Sequence, residues 1–139
     1  MSYFFRDEER ERLVKAYDTL AELEITHMAH NLTSELSGGQ SKLVDIGRAL
    51  MGEPDLLLLD EPVAGVAGPL SEKIFNNLRS IVSKKGISIF VIEHNMDFIL
   101  RRGVDRIIVM DQGKVLMQGT PDEVKDSKEV IVAYLGAAA

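Results

Sequence analysis

The sequence predicts an α/β fold with parallel strands and flanking helices, and three observations carry that prediction. Two short apolar runs, Leu56 to Leu59 and Ile87 to Ile92, each stop abruptly at polar residues, as strands of a covered parallel sheet do. A stretch of helical periodicity from Pro69 to Lys85 lies between them, long enough for a crossover. Further on, two apolar runs bracket Asp111-Gln112-Gly113, which signals a β-hairpin.

The 139 residues are 45% hydrophobic and 27% charged, enough for one domain with a real core. A formal net charge of -6 argues against a nucleic-acid-binding surface. The short basic runs Lys84-Lys85 and Arg101-Arg102 read more simply as charges at helix C-termini. Cysteine is absent, which removes disulfides and thiolate metal sites and fits a reducing cytosol. Met1 to Phe5 run straight into the charged stretch Arg6 to Arg12, unlike a signal peptide. No apolar stretch approaches the ~20 residues needed to cross a bilayer, so the expectation is a soluble chain able to dock onto a membrane protein.

Taken in order, Asp7 to Leu23 carries Leu13, Val14, Tyr17, Leu20, Ala21 and Leu23 at the spacing of one helix face. Glu24 to Glu35 has little period and contains His27 and His30. No carboxylate or third histidine completes a metal-ligand set with them, so surface or packing roles are expected. Ser37 is a good N-cap for a helix from about Gly39 to Met51, ended by Gly52-Glu53-Pro54. Leu36-Ser37-Gly38-Gly39-Gln40 therefore sits at a helix N-terminus. Adjacent glycines permit close backbone approach there, and the unpaired N–H groups and helix dipole favour an anion. An ordinary glycine-containing loop is the plain alternative.

The leucine run is expected to be a strand buried on both faces, followed by a loop of small residues from Val63 to Gly68. The helix after Pro69 has Leu70, Ile74, Phe75, Leu78, Ile81 and Val82 as its apolar face, and Gly86 ends it. The second buried strand, Ile87 to Ile92, leads to Glu93-His94-Asn95 and a short helix from about Met96 to Arg102. The hairpin strands are expected at Arg106 to Met110 and Lys114 to Gln118. Thr120-Pro121-Asp122-Glu123 has the N-cap, first-turn proline and acidic residues of a helix start. A last helix, roughly Ser127 to Leu135, precedes Gly136 and an alanine tail expected to be flexible.

Asp60 and Glu61 follow the leucine strand, at the strand end where open α/β sheets bind ligands. On an extended chain adjacent carboxylates point to opposite sides, which suits them to different tasks. One can hold Mg²⁺, directly or through water, while the other polarises an attacking water; a helix-capping pair is the plainer reading. His94 ends the next strand and is expected to face the same crevice, where an imidazole could contact a terminal phosphate. A structural role is the alternative for a lone histidine.

Leu36 to Gln40, Leu56 to Pro62 and His94, in this order and spacing, resemble the ATP-binding cassette (ABC) ATPases over nearly the whole chain. In that family these are the signature motif, the Walker B strand and the switch histidine. The resemblance implies a partial P-loop NTPase fold and assigns roles to residues. Ser37, Gly38, Gly39 and Gln40 would form the signature that meets the γ-phosphate of ATP held on the opposite subunit of a head-to-tail dimer. Asp60 would hold Mg²⁺ through water, Glu61 would be the general base, and His94 would contact the γ-phosphate. Ala67 departs from the family by standing where many cassettes have aspartate.

Gly39-Gln40-Ser41-Lys42-Leu43, Asp60 to Val66, Val91 to Met96, Gly119-Thr120-Pro121 and Ala133 to Gly136 further resemble the branched-chain amino-acid uptake branch. That likeness implies an importer subunit on the inner face of the cell membrane, working with a second cassette subunit and a membrane-spanning permease.

The phosphate-binding loop, Gly-x-x-x-x-Gly-Lys followed by Ser or Thr, has no match here: Gly113-Lys114 is followed by Val115 in a hairpin. The chain therefore resembles the C-terminal portion of a cassette. Residues 1–52 are expected to belong to the signature-bearing helical subdomain and 53–139 to the ATPase core. Without the loop, the isolated chain is expected not to hydrolyse ATP, and bare strand edges are expected to close up, swap or self-associate. Two other readings compete: a non-catalytic partner that donates its signature to an intact cassette, and a cassette serving DNA repair or translation.

Overall fold

The computed structural model describes residues 2–135; the alanine tail lies outside them. The chain divides into two compact units, Met1–Ile92 and Glu93–Ala139. The first contains α1 (Ser2–Glu22), α2 (Gly38–Leu50), β1 (Leu56–Asp60), α3 (Gly68–Lys85) and β2 (Ser88–Ile92), with two single 3₁₀ turns between α1 and α2. The second contains α4 (Met96–Leu100), β3 (Ile107–Asp111), β4 (Lys114–Gly119), α5 (Pro121–Lys125) and α6 (Lys128–Leu135).

β1 and β2 pair in parallel, with Leu56 opposite Ser88 and Asp60 opposite Ile92, and α3 forms the crossover. The core of this unit joins Leu23 and Ile25 to Leu43, Ile46 and Leu50 of α2, Leu57 of β1, and Ile74, Leu78 and Ile81 of α3. The periodicity of α3 thus does what its spacing predicts, and Gly86 closes the helix in the left-handed conformation at φ 68°. Buried Asn77 is satisfied by donating from Nδ2 to the Leu23 carbonyl at 3.0 Å, which ties α3 to the end of α1.

Two burial expectations fail. Neither strand is covered on both faces: Leu57 packs inward with Leu59 and Ile89, while Leu56, Leu58, Phe90 and Ile92 face solvent. The inward set meets α2 and α3, and the outward set has no second layer among the described residues. The apolar face of α1 is also only partly used. Leu13 and Val14 are exposed, and the helix meets the core only near its end, through Thr19, Leu20 and Leu23 just beyond it. The first turns, Arg6 to Arg12, carry charge on every side and reach into solvent.

In the second unit β3 and β4 form the antiparallel hairpin. Gln112 and Gly113 both have positive φ, 46° and 77°, as a type I′ turn requires. Ile107, Val109, Val124 and Val130 make a small separate core.

Thr120 and Glu123 form a capping box at α5. The Thr120 N–H and hydroxyl donate to Glu123 Oε2 at 2.7 and 3.1 Å, and these bonds hold the carboxyl below the ordinary glutamate pKa. A lowered folded-state pKa contributes stability that is present above the ordinary value and lost as pH falls through the lowered one. Thermal unfolding followed across acidic pH is expected to show a shallower pH dependence in Glu123→Gln than in the parent chain. An unchanged slope would remove Glu123 from that account.

Candidate functional site

The start of α2 is built by its own side chains. Ser37 is extended at φ -65° and ψ 162°, its Oγ accepts from the Gln40 N–H at 3.4 Å, and its own N–H donates to Gln40 Oε1 at 2.8 Å. This reciprocal capping box satisfies two backbone donors at an otherwise open helix end. The Ser-x-x-Gln spacing is the signal by which the sequence could have shown it.

The two glycines of this helix start do different work. A Cβ on Gly38 would meet nothing within 4 Å, whereas one on Gly39 would lie 2.4 Å from Leu70 Cδ2 and 3.2 Å from Val66 Cγ1. Gly39 is buried, and its missing side chain lets α2 pack against the start of α3. Gly39→Ala is expected to displace Leu70 and cost about 1 kcal/mol or more. Gly38→Ala is expected to stay within about 0.5 kcal/mol of the parent chain. Urea midpoints measured side by side check the pair, and equal midpoints would refute the distinction.

Asp60 is exposed at the last position of β1, paired with Ile92. Glu61 is half-buried and leaves the strand at once: its φ is +45°, a conformation uncommon outside glycine. The extended-chain argument for opposite-facing carboxylates therefore does not apply, because the backbone turns at the second residue. That turn is held from both sides. The Glu61 N–H donates to the Ile92 carbonyl at 2.9 Å, and the Glu61 carbonyl accepts from the Ala64 N–H at 3.1 Å and from Lys42 Nζ at 3.4 Å. Lys42 comes from α2, so the signature helix and the carboxylate turn are joined within one unit. The sequence reading missed Lys42, since a flexible side chain reaching across 19 residues leaves no periodic signal.

The loop after Glu61 runs into α3 with Ala67 as N-cap. Alanine offers no side-chain acceptor there; instead the Ser71 hydroxyl turns back to the Val66 and Ala67 carbonyls at 3.1 and 3.2 Å. His94 belongs to the second unit, where it is exposed and precedes Asn95, whose side chain caps α4 by accepting from the Phe98 N–H at 2.9 Å. The structure thus gathers Ser37 to Gln40, Asp60 and Glu61 in the first unit. His30, one of the two unassigned histidines, lies 3.1 Å from the Tyr17 hydroxyl through Nε2.

The carboxylate oxygens of Asp60, at an exposed strand end, suit a hard cation held through water. Among the described residues no group of three or more histidine, aspartate or glutamate side chains could hold a metal together. No helix of the described residues is long and apolar enough to cross a membrane.

A family model described as "ABC transporter" matches residues 3–64, and one described as "Branched-chain amino acid ATP-binding cassette transporter" matches residues 114–139. The chain is 39% identical over 132 residues to the probable branched-chain amino acid transport ATP-binding protein LivG of Methanocaldococcus jannaschii, covering 92% of this chain and 51% of that protein. It is 36% identical over 138 residues to the high-affinity branched-chain amino acid transport ATP-binding protein BraF of Pseudomonas aeruginosa, covering 96% of this chain and 52% of that one. A solved ATP-binding cassette of an ABC transporter, in its ADP conformation, superposes with a TM-score of 0.81 at 38% identity over 91% of this chain and 50% of that chain.

These matches define the fold as part of an ABC-type P-loop NTPase cassette. The chain matches the ABC transporter family model over residues 3–64 and is a relative of branched-chain amino acid transport ATP-binding proteins, spanning about half the length of those it matches.

Proposed function

We propose that this chain is part of the ATP-binding subunit of an ABC importer, and that the importer carries branched-chain amino acids. The observation that carries the reading is the capped Ser37 to Gln40 helix start joined through Lys42 to the Asp60–Glu61 turn. An exposed, glycine-opened helix N-terminus suits a phosphate presented by another subunit. Ser37, Gly38, Gly39 and Gln40 then meet the γ-phosphate of ATP held on a second cassette. Asp60 holds Mg²⁺ through water, Glu61 takes the proton of the attacking water, and His94 contacts the γ-phosphate. Residues 1–52 serve as the signature-bearing subdomain and 53–139 as core. A permease anchors the assembly at the inner face of the membrane. Bare strand edges suit self-association when the chain is alone.

One observation favours a second reading, in which the chain only donates its signature. That motif is fully built, while no segment of the sequence forms a phosphate-binding loop. Both readings require the signature to engage a partner's nucleotide. Mixing the chain with an intact cassette is expected to give association that needs ATP and Mg²⁺ and is weakened at least about tenfold by Gly38→Glu, which sets a carboxylate against the phosphate. Association indifferent to nucleotide would reject both.

A further inference from the structure

Glu61 occupies an unfavourable backbone conformation, and a side chain from another element helps to hold it there. A non-glycine residue at φ 45° lies in the left-handed region and persists only where its surroundings over-determine it. Two of the bonds that fix it belong to the main chain: the Glu61 N–H donates to the Ile92 carbonyl at 2.9 Å, and the Glu61 carbonyl accepts from the Ala64 N–H at 3.1 Å. The third comes from Lys42 of α2, whose Nζ donates to the same carbonyl at 3.4 Å.

Lys42 is suited to this one task. It is half-buried, and among the described residues its ammonium forms no ion pair. A charged donor makes a stronger bond to a carbonyl than a neutral one. Because the carbonyl sits at the pivot of the turn, that bond resists the rotation that would return Glu61 to an extended conformation. Such a rotation would send the carboxylate to a different side of the chain. A general base acts only within hydrogen-bond reach of its water, and a misplacement of about 1 Å can cost about 10²-fold in rate. Lys42 also follows Gln40 closely on the helix that begins with the signature, and Gly39 of that start abuts Val66 and Leu70, just beyond the same turn. The helix start and the carboxylate turn are thus joined at two points.

We propose that Lys42 is a positioning residue for Glu61: by holding the Glu61 carbonyl, its ammonium keeps the left-handed turn that sets the carboxylate, and it ties that carboxylate to the helix whose start meets the phosphate. What Glu61 does there rests on the proposed importer function, whereas the turn itself is measured without nucleotide.

Amide hydrogen exchange on the 139-residue chain and on Lys42→Met and Lys42→Arg is the test. Methionine keeps an unbranched stem but removes the charge and the donors; arginine keeps a cationic donor. In Lys42→Met the Glu61 and Ala64 amides, both donors in the turn, are expected to exchange at least about tenfold faster, as the loss of one charge-assisted bond implies. The Leu78 and Ile81 amides in the buried face of α3 should stay within about twofold. Lys42→Arg is expected to return the turn amides to within about threefold of the parent chain. Turn amides indifferent to Lys42→Met, or a loss that Lys42→Arg does not restore, would overturn the proposal. Equal acceleration at Leu78 and Ile81 would overturn it too, since Lys42 would then serve overall stability alone. If the turn responds as expected while association with an intact cassette proves indifferent to nucleotide, the importer reading falls and the hold of Lys42 on the turn stands.

Discussion

Ile74→Ala is expected to destabilise the Met1–Ile92 unit by about 3–4 kcal/mol, among the larger effects a single core truncation produces. Ile74 is wholly buried and lies in the cluster to which both helices and the inner face of the sheet contribute. Removing its outer carbons forfeits their transfer free energy and leaves a hole that Leu43, Leu57 and Leu78 cannot fill without leaving their own rotamers. Because one face of this sheet is already open, the remaining core has little to spare. Urea denaturation is the direct measure: the midpoint should fall with the slope unchanged. Leu13→Ala, at an exposed position on α1, serves as the contrast and should move the midpoint by no more than about 0.5 kcal/mol. Equal effects at the two positions would mean that the core is not where the burial places it.

The isolated chain is expected to hydrolyse ATP no faster than buffer, and Glu61→Gln to leave that background unchanged. A general base contributes only when the water it activates faces a held phosphate, and its removal from a working site costs about 10²–10⁴ in rate. Here the carboxylate turn is firmly mounted, but the sequence supplies no cradle of backbone N–H groups and lysine for the β- and γ-phosphates. Turnover by rigorously purified chain that disappears in Glu61→Gln would refute this.

Much of the fold was legible in the sequence because its signals are local. The type I′ turn follows from Gln112-Gly113, the α3 termini from Pro69 and Gly86, and the α5 start from the Thr120 to Glu123 box. Leu56 to Leu59 announced a strand made to be covered, but the cover cannot be read from the strand. A layer over Leu56 and Leu58 must come from elsewhere, and here it does not come from the described residues. At the candidate site, the serine cap and the strand-end carboxylates were visible as residue types at characteristic places. The left-handed turn at Glu61 was not, because it depends on three backbone and side-chain bonds from β2, the following loop and Lys42 rather than on a glycine.

The unequal glycines at the start of α2 give that helix end a handedness of access. On the Gly39 side Val66 and Leu70 form a wall; on the Gly38 side there is free space; and the Ser37 N–H is already taken by Gln40. An anion docking at this helix end, as proposed for the signature, would approach from the Gly38 flank, away from the Val66 and Leu70 side chains.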